Sequence, residues 1–295
     1  MGKQIELFRS EEKKQAYFKI YDMALEQMPV AFETKYVDTS FGNTHLIHCR
    51  KVDSPKLILL HCMGFASTCW YKNLETLSKN FDVYCIDSIG EPGKTETYKT
   101  KIRKENYFKW LIEILDNLKL DKVNIAGWSF GGFLATGFAM NHPERVERIV
   151  AMSPAGTISP ITITFYLKLL PALFGGKDKK INQFLKWISG NDNSDYPNPA
   201  FSVFTAGMKS FKGWATGTKI VVYSDNDFKK LKVPYLILIG NKDPIYKSGI
   251  HNQLVGKYKK INHNVEVEMV NGTHGFPIQQ SEKTNERIVS FFLNT

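Results

Sequence analysis

Short apolar runs alternate with helical patterns along most of this 295-residue chain, and this alternation constrains the fold more than any other feature. Between the runs, apolar residues recur every three or four positions, as in an amphipathic helix. Strands that alternate with helices form βαβ units with parallel strands. The sequence therefore predicts an α/β fold with a mostly parallel central sheet flanked by helices. The apolar runs are residues 56–61, 82–87, 122–127, 146–153, 234–240 and 265–270.

Two further elements precede this block. Residues 10–28 carry apolar side chains on one helical stripe, with Glu11 and Glu12 in the first turn, where the helix dipole favours acidic groups. This pattern predicts an N-terminal packing helix. Two short alternating segments between residues 34 and 51 predict an antiparallel hairpin.

The segment 155–230 differs in composition from the chain on either side of it. Strand-like runs are scarce there, and the helical pieces are rich in aromatic residues and glycine. We interpret the segment as an insertion into one core domain, which is formed by residues 1–154 and 231–295.

Composition excludes several classes of protein. The net charge is +10, but the lysines are scattered among acidic residues rather than gathered beside aromatic ones, so no nucleic-acid partner is expected.

The first twenty residues lack the apolar stretch of a secretory signal, and the longest apolar segment is interrupted by Lys168 and Pro171. We expect a cytoplasmic protein, a monomer or homodimer, without membrane insertion.

The cysteines indicate the redox state of the chain. None of the four belongs to a C-x-x-C pair, and a chain of this size does not need disulfides to fold. We expect reduced, mostly buried thiols and no metal site. The cysteines are Cys49, Cys62, Cys69 and Cys85.

Residues 127–131 read Gly-Trp-Ser-Phe-Gly at the junction of an apolar run and a helical segment rich in small residues. Ser129 therefore falls on a predicted strand-to-helix turn, where the nucleophile elbow of a serine hydrolase lies. Gly127 and Gly131 have no Cβ to collide in so tight a turn. A serine that merely caps the helix would occupy the same position, so the motif alone leaves both interpretations open.

A nucleophilic serine requires a base to accept its proton and an acid to orient that base. Asp243 follows the apolar run 234–240, and His274 follows the run 265–270. Both positions lie where the loops at the carboxyl ends of parallel strands gather functional groups. The order Ser129, Asp243, His274 is one of the three common triad orders, so the sequence predicts a catalytic triad.

Such a triad works with an oxyanion hole of backbone N–H groups. One donor would be the N–H of Phe130, which follows the serine. The other should come from the loop after the first strand of the parallel block, where we select Met63. This chemistry requires neither a cofactor nor a metal.

These motifs resemble those of the α/β-hydrolase superfamily: His61 begins the oxyanion loop, and the G-W-S-F-G motif is followed by N-H-P-E-R-V. Several runs, among them L-L-H-C-M-G-F-A-S-T-C-W-Y-K-N, are similar to Bacillus-type carboxylesterases, including those that hydrolyse naproxen esters. The resemblance covers nearly the whole chain. It implies a carboxylic ester hydrolase that forms an acyl-enzyme with hydrophobic small-molecule esters. Hydrolysis of thioesters, lactones, amides or carbon–carbon bonds stays open, as does a small-molecule receptor on the same scaffold.

The resemblance also implies that residues 155–230 form a helical cap over the site. Cys62 departs from the superfamily, which usually has glycine after the histidine, and a positive φ there would be costly for cysteine. A thiol beside the pocket would be moderately sensitive to small thiol reagents. The residues expected to line or support an apolar pocket are His61, Cys62, Trp128, Phe165, Trp187, Phe204 and Trp214.

Overall fold

The computed structural model describes residues 4–99, 101–175, 177–190, 198–212 and 217–294. The chain divides into two compact units. Unit 1 comprises Met1–Asp121 and Asp195–Lys219, and unit 2 comprises Lys122–Ser194 and Ile220–Thr295. The segment that we interpret as a cap contributes to both units, and its role as a cap stays a prediction.

Unit 1 contains the hairpin and the first strands of the parallel block. Its strands are β1 (Glu33–Thr39), β2 (Gly42–Cys49), β3 (Lys56–Leu60) and β4 (Asp82–Ile86). They lie in the order β1-β2-β4-β3, with β2 antiparallel to both of its neighbours and β3 parallel to β4. Its helices are α1 (Glu11–Leu25), α2 (Tyr71–Ser78), α3 (Lys104–Asn117) and α7 (Pro199–Ser210), with a 3₁₀ turn at Ser67–Trp70.

Unit 2 contains four parallel strands in sequential order. They are β5 (Val123–Trp128), β6 (Val146–Met152), β7 (Tyr235–Gly240) and β8 (Val265–Val270). Its helices are α4 (Phe130–Asn141), α5 (Ile163–Gly175), α6 (Asp178–Ser189), α8 (Asp225–Lys229), α9 (Ile250–Ile261), α10 (Phe276–Gln279) and α11 (Ser281–Leu293), with a 3₁₀ turn at Pro143–Arg145.

The burial of the strands confirms the predicted fold class. Every residue of β4, β5 and β7 is buried, as expected for parallel strands that are covered on both faces. Within unit 2, α4 packs against β5 and β6, and α9 packs against β8. The fold is therefore α/β, with parallel strand pairing predominating among the described strands and helices flanking them.

The N-terminal helix forms as predicted but ends earlier. Ser10 caps it, because its hydroxyl accepts a hydrogen bond from the Lys13 N–H at 3.2 Å. Tyr17 and Tyr21 are fully buried in a hydrophobic cluster with Val203 of α7 and with Phe211, which follows that helix. The helix stops at Leu25 rather than at residue 28, and the proline after Met28 disfavours helical backbone there.

The described residues contain no helix that is both long enough and apolar enough to cross a membrane. The segment around Lys168 and Pro171 forms α5, which is only 13 residues long. A helix of this length falls short of the roughly 20 residues that the hydrocarbon core of a bilayer requires.

Candidate active site

Ser129 lies between the end of β5 and the start of α4, with φ 54° and ψ −109°. A residue with a side chain rarely adopts a positive φ, and such a conformation persists only where its surroundings enforce it. Two backbone hydrogen bonds do so here. The Ser129 N–H donates to the Met152 carbonyl at 2.8 Å, and the Ser129 carbonyl accepts from the Ala155 N–H at 3.0 Å.

The turn also depends on a glycine. A Cβ on Gly127 would lie 2.3 Å from the carbonyl oxygen of Gly131 and 2.6 Å from the backbone nitrogen of Gly132. Only glycine allows the end of β5 to approach the first turn of α4 so closely. The steric role predicted for Gly127 is thus present in the structure.

The capping interpretation of Ser129 is not supported by its contacts. Ser129 is the residue that precedes α4, but its side chain makes no capping hydrogen bond to the described helix. The hydroxyl group is therefore not committed to the backbone of α4.

His274 and Asp243 form a buried pair in unit 2. The Nδ1 atom of His274 lies 2.8 Å from the Oδ2 atom of Asp243, and the side chain of Asp243 is fully buried. The other oxygen, Oδ1, accepts a hydrogen bond from the Ile245 N–H at 3.0 Å, which fixes the carboxylate. Because a carboxylate accepts hydrogen bonds, Nδ1 carries the proton of this bond, and Nε2 is the nitrogen with a lone pair in the neutral form of the ring.

A second glycine brings these two residues together. Gly240 ends β7, and a Cβ on it would lie 2.5 Å from the carbonyl oxygen of Thr273 and 2.7 Å from that of Gly272. The loop after β8 can therefore lie directly against the end of β7. The Lys242 N–H donates to the Gly272 carbonyl at 2.9 Å and fastens the two loops.

Trp128 connects the turn at Ser129 to the loop of His274. Its indole N–H donates a hydrogen bond to the backbone carbonyl of His274 at 2.9 Å, and the two rings lie 6.1 Å apart between centroids. The residue before the serine thus holds the histidine loop, so the structure brings Ser129, His274 and Asp243 into one region of unit 2.

The model of the family described as the alpha/beta hydrolase fold matches residues 55–279. The chain belongs to this family. Carboxylesterase YbfK of Bacillus subtilis is 30% identical over 292 residues, which cover 96% of each chain. The crystal structure of naproxen esterase, carboxylesterase NP, from Bacillus subtilis superposes with a TM-score of 0.87 at 28% identity and covers 95% of this chain and 98% of its own. The predicted resemblance to Bacillus-type carboxylesterases is confirmed.

In this α/β hydrolase, the loop after β3 is organised by buried groups of unit 1. His61 is fully buried, its Nε2 accepts from the Ser88 N–H at 2.9 Å, and its Nδ1 donates to the Cys62 carbonyl at 2.9 Å. Burial lowers the pKa of His61, so the ring is neutral, as these bonds require. The contacts of His61 are those of a residue that positions the loop.

Glu91 also contacts the loop after β3, and it was not identified from the sequence. It is fully buried, and its Oε2 atom accepts a hydrogen bond from the N–H of Gly64, the residue after Met63, at 2.8 Å. Burial raises the pKa of this carboxyl group to about 8. Glu91 thus supports the segment that contains the predicted oxyanion donor.

The backbone of Cys62 does not have the positive φ that would be costly for a cysteine. The positive φ in this loop belongs to Gly64, at 78°, and Cys62 does not share it. The cysteine tolerates this position because the loop turns two residues later. All four cysteines are free thiols and buried, as predicted.

The remaining pocket candidates are distributed over both units. Phe204 is buried in unit 1 with its ring 4.7 Å from that of Phe65, and Phe165 contacts Phe184 in unit 2. Trp187 is half-buried on α6, and Trp214 lies outside the described residues. Met63 is half-buried in unit 1, and its pairing with Phe130 in an oxyanion hole stays a prediction, as does the whole pocket.

Proposed function

We propose that this protein hydrolyses carboxylic esters through an acyl-enzyme formed on Ser129. The observation that carries the proposal is the strained backbone of Ser129 at the start of α4. A conformation of this kind is costly and tends to be retained at functional sites. It presents a hydroxyl group that α4 does not use for capping.

His274 is the proposed general base. With Nδ1–H bound to Asp243, the lone pair of Nε2 can accept the serine proton and later return it to the leaving alcohol. Asp243 fixes the tautomer and stabilises the imidazolium that forms. His274 then takes a proton from the water that attacks the acyl-enzyme and returns it to Ser129 as the carboxylic acid is released.

The oxyanion would be held by two backbone N–H groups. Phe130 is the first residue of α4, and the helix dipole favours negative charge at this end of the helix. Met63 is the proposed second donor, in the loop that His61 and Glu91 support. Each such donor typically contributes about a hundred- to a thousand-fold in rate.

We expect the substrates to be hydrophobic small-molecule esters. Two relatives that align along nearly the full chain are named carboxylesterases, which supports ester hydrolysis over the other acyl transfers of this fold. The aromatic residues expected around the pocket favour an apolar acyl or alkyl group.

The test combines turnover with active-site labelling. We would measure hydrolysis of p-nitrophenyl esters of graded acyl length and labelling by a fluorophosphonate, on the wild type, Ser129→Ala and Ser153→Ala. Ser153 is the matched control, because it is a buried serine of the same unit that also has a positive φ, of 44°.

Ser129→Ala should abolish labelling and lower kcat by about 10⁴- to 10⁶-fold, whereas Ser153→Ala should retain both labelling and turnover. Near-normal turnover in Ser129→Ala would refute the proposed nucleophile. Labelling at Ser129 without ester turnover would instead redirect the search to thioesters, lactones, amides or tightly bound ligands.

A further inference from the structure

Helix α5 exposes an unusual amount of apolar side chain. Four large residues of this helix are between 43% and 70% exposed: Ile163, Tyr166, Leu167 and Leu170. Their spacing of three, four and seven positions from Ile163 places them on one side of the helix. A contiguous exposed stripe of this kind marks a surface that contacts another apolar phase or molecule.

Lysines border the same stripe. A groove of about 560 Å³ between α5 and α6 is lined by Leu167, Pro171 and Phe184 together with Lys168 and Lys180. We call the exposed residues of α5 and the two lysines the α5–α6 face. The segment 155–190, which contains both helices, holds five lysines and a single aspartate, Asp178.

The combination of exposed apolar side chains and bordering lysines restricts which kind of molecule can bind the α5–α6 face. A second copy of the chain, docked symmetrically, would place lysines against lysines and would be opposed by like-charge repulsion. An uncharged apolar partner would leave the ammonium groups uncompensated. A layer of anionic lipid provides an apolar interior for the leucines and negatively charged phosphates for the lysines.

We propose that the α5–α6 face docks on the surface of anionic lipid membranes. The apolar stripe would enter the boundary between headgroups and acyl chains by about 5–10 Å, without crossing the bilayer. This shallow contact departs from the absence of membrane insertion expected from the sequence. Lys168 and Lys180 would contact the phosphate oxygens, and the net charge of +10 would draw the whole protein towards a negative surface. The inference goes beyond the proposed ester hydrolysis and does not depend on it.

The test is co-sedimentation of the full chain with vesicles. One set would contain phosphatidylcholine with about 30 mol% phosphatidylglycerol, and the other phosphatidylcholine alone. Two variants probe the face: Leu167→Asp removes apolar contact and adds one negative charge, and the pair Lys168→Glu with Lys180→Glu reverses two charges. The control pair, Lys259→Glu with Lys260→Glu, changes the net charge equally on the exposed side of α9.

We expect binding to the anionic vesicles only, weakening between about 0.1 M and 1 M salt as the Debye length falls from about 10 to 3 Å. Both face variants should lower the partition coefficient about tenfold or more, whereas the control pair should change it less than threefold. Because the replaced side chains are exposed, far-ultraviolet circular dichroism should be unchanged.

Three results would overturn the proposal. The first is absence of binding to the anionic vesicles. The second is an equal loss in the α9 control pair, which would indicate attraction by net charge alone. The third is a dimer in sedimentation velocity that Leu167→Asp dissociates, which would assign the face to contact between copies of the chain.

Discussion

The indole N–H of Trp128 donates to the backbone carbonyl of His274 at 2.9 Å, so the residue before the proposed nucleophile holds the loop of the proposed base. The two residues are 146 positions apart in the sequence. Their hydrogen bond couples the geometry of the turn at Ser129 to the position of the imidazole. The relationship between nucleophile and base therefore depends on a side chain that takes no part in the proposed proton transfers.

Trp128→Phe should lower kcat about 5- to 50-fold. The ring is retained, but one buried hydrogen bond of about 1 kcal/mol is lost, and displacement of a catalytic group by 1 Å can cost about a hundredfold. Steady-state ester hydrolysis checks the prediction. Trp110→Phe is the control, because Trp110 donates a comparable buried bond to Thr44 at 2.8 Å in unit 1. Equal effects of both variants on kcat would contradict a positioning role for Trp128.

Gly240→Ala should reduce activity by about a hundredfold or more and destabilise the fold by about 1–3 kcal/mol. Its Cβ would meet the backbone oxygens of Gly272 and Thr273, so the loop of His274 must move. Gly256→Ala is the control, because a Cβ there meets no atom within 4 Å. That substitution in α9 should add about 0.5–1 kcal/mol of stability without changing turnover. Urea denaturation and kcat measurements distinguish the two variants. Normal turnover in Gly240→Ala would refute the claim that a glycine at this position is needed to place the loop of His274.

Glu91 should make the stability of the protein fall as the pH rises. Burial raises the pKa of its carboxyl group from 4.5 to about 8, so between these values the folded state keeps a proton that the unfolded state releases. The free energy of unfolding should therefore decrease across this range, by a few kcal/mol at about 1.4 kcal/mol per pKa unit. Glu91→Gln keeps an acceptor for the Gly64 N–H and should remove this decrease.

Urea denaturation at about pH 4 and pH 8.5, on either side of the expected loss, checks the prediction for Glu91. Glu75→Gln, an exposed carboxylate on α2, is the control and should follow the wild type. Parallel pH profiles for the wild type and Glu91→Gln would show that Glu91 does not carry the effect.

The native protein should react slowly with small thiol reagents, contrary to the expectation from the sequence. Cys62 is only 4% exposed, and burial raises the pKa of its thiol well above the ordinary value, so little thiolate is present. Burial also raises the pKa of Cys49 to about 11 and the pKa of Cys85 well above its ordinary value. Titration with Ellman's reagent should find fewer than one fast thiol in the native chain and all four cysteines after denaturation. Rapid labelling of Cys62 with loss of turnover would restore the original expectation.

The sequence by itself determined the fold class and the positions of the candidate catalytic residues. Periodicity is local, so the alternation of apolar runs and helical patterns identifies βαβ units without knowledge of long-range contacts. The steric conflict that Gly127 avoids involves Gly131, only four residues further along the chain, and Gly127 was recognised for that reason. Asp243 and His274 were found because each follows a strand-like run, and the ends of parallel strands collect functional groups.

Only the tertiary structure decided how these residues are held. The close approach at Gly240, the bond from Trp128 to His274 and the bond from Gly64 to Glu91 join segments that are distant in the sequence. Such contacts depend on which strands lie side by side and how the loops pack, and neither property leaves a local pattern. The low accessibility of Cys62 arises in the same way, because burial is a property of all the surrounding segments rather than of the residues adjacent in the chain.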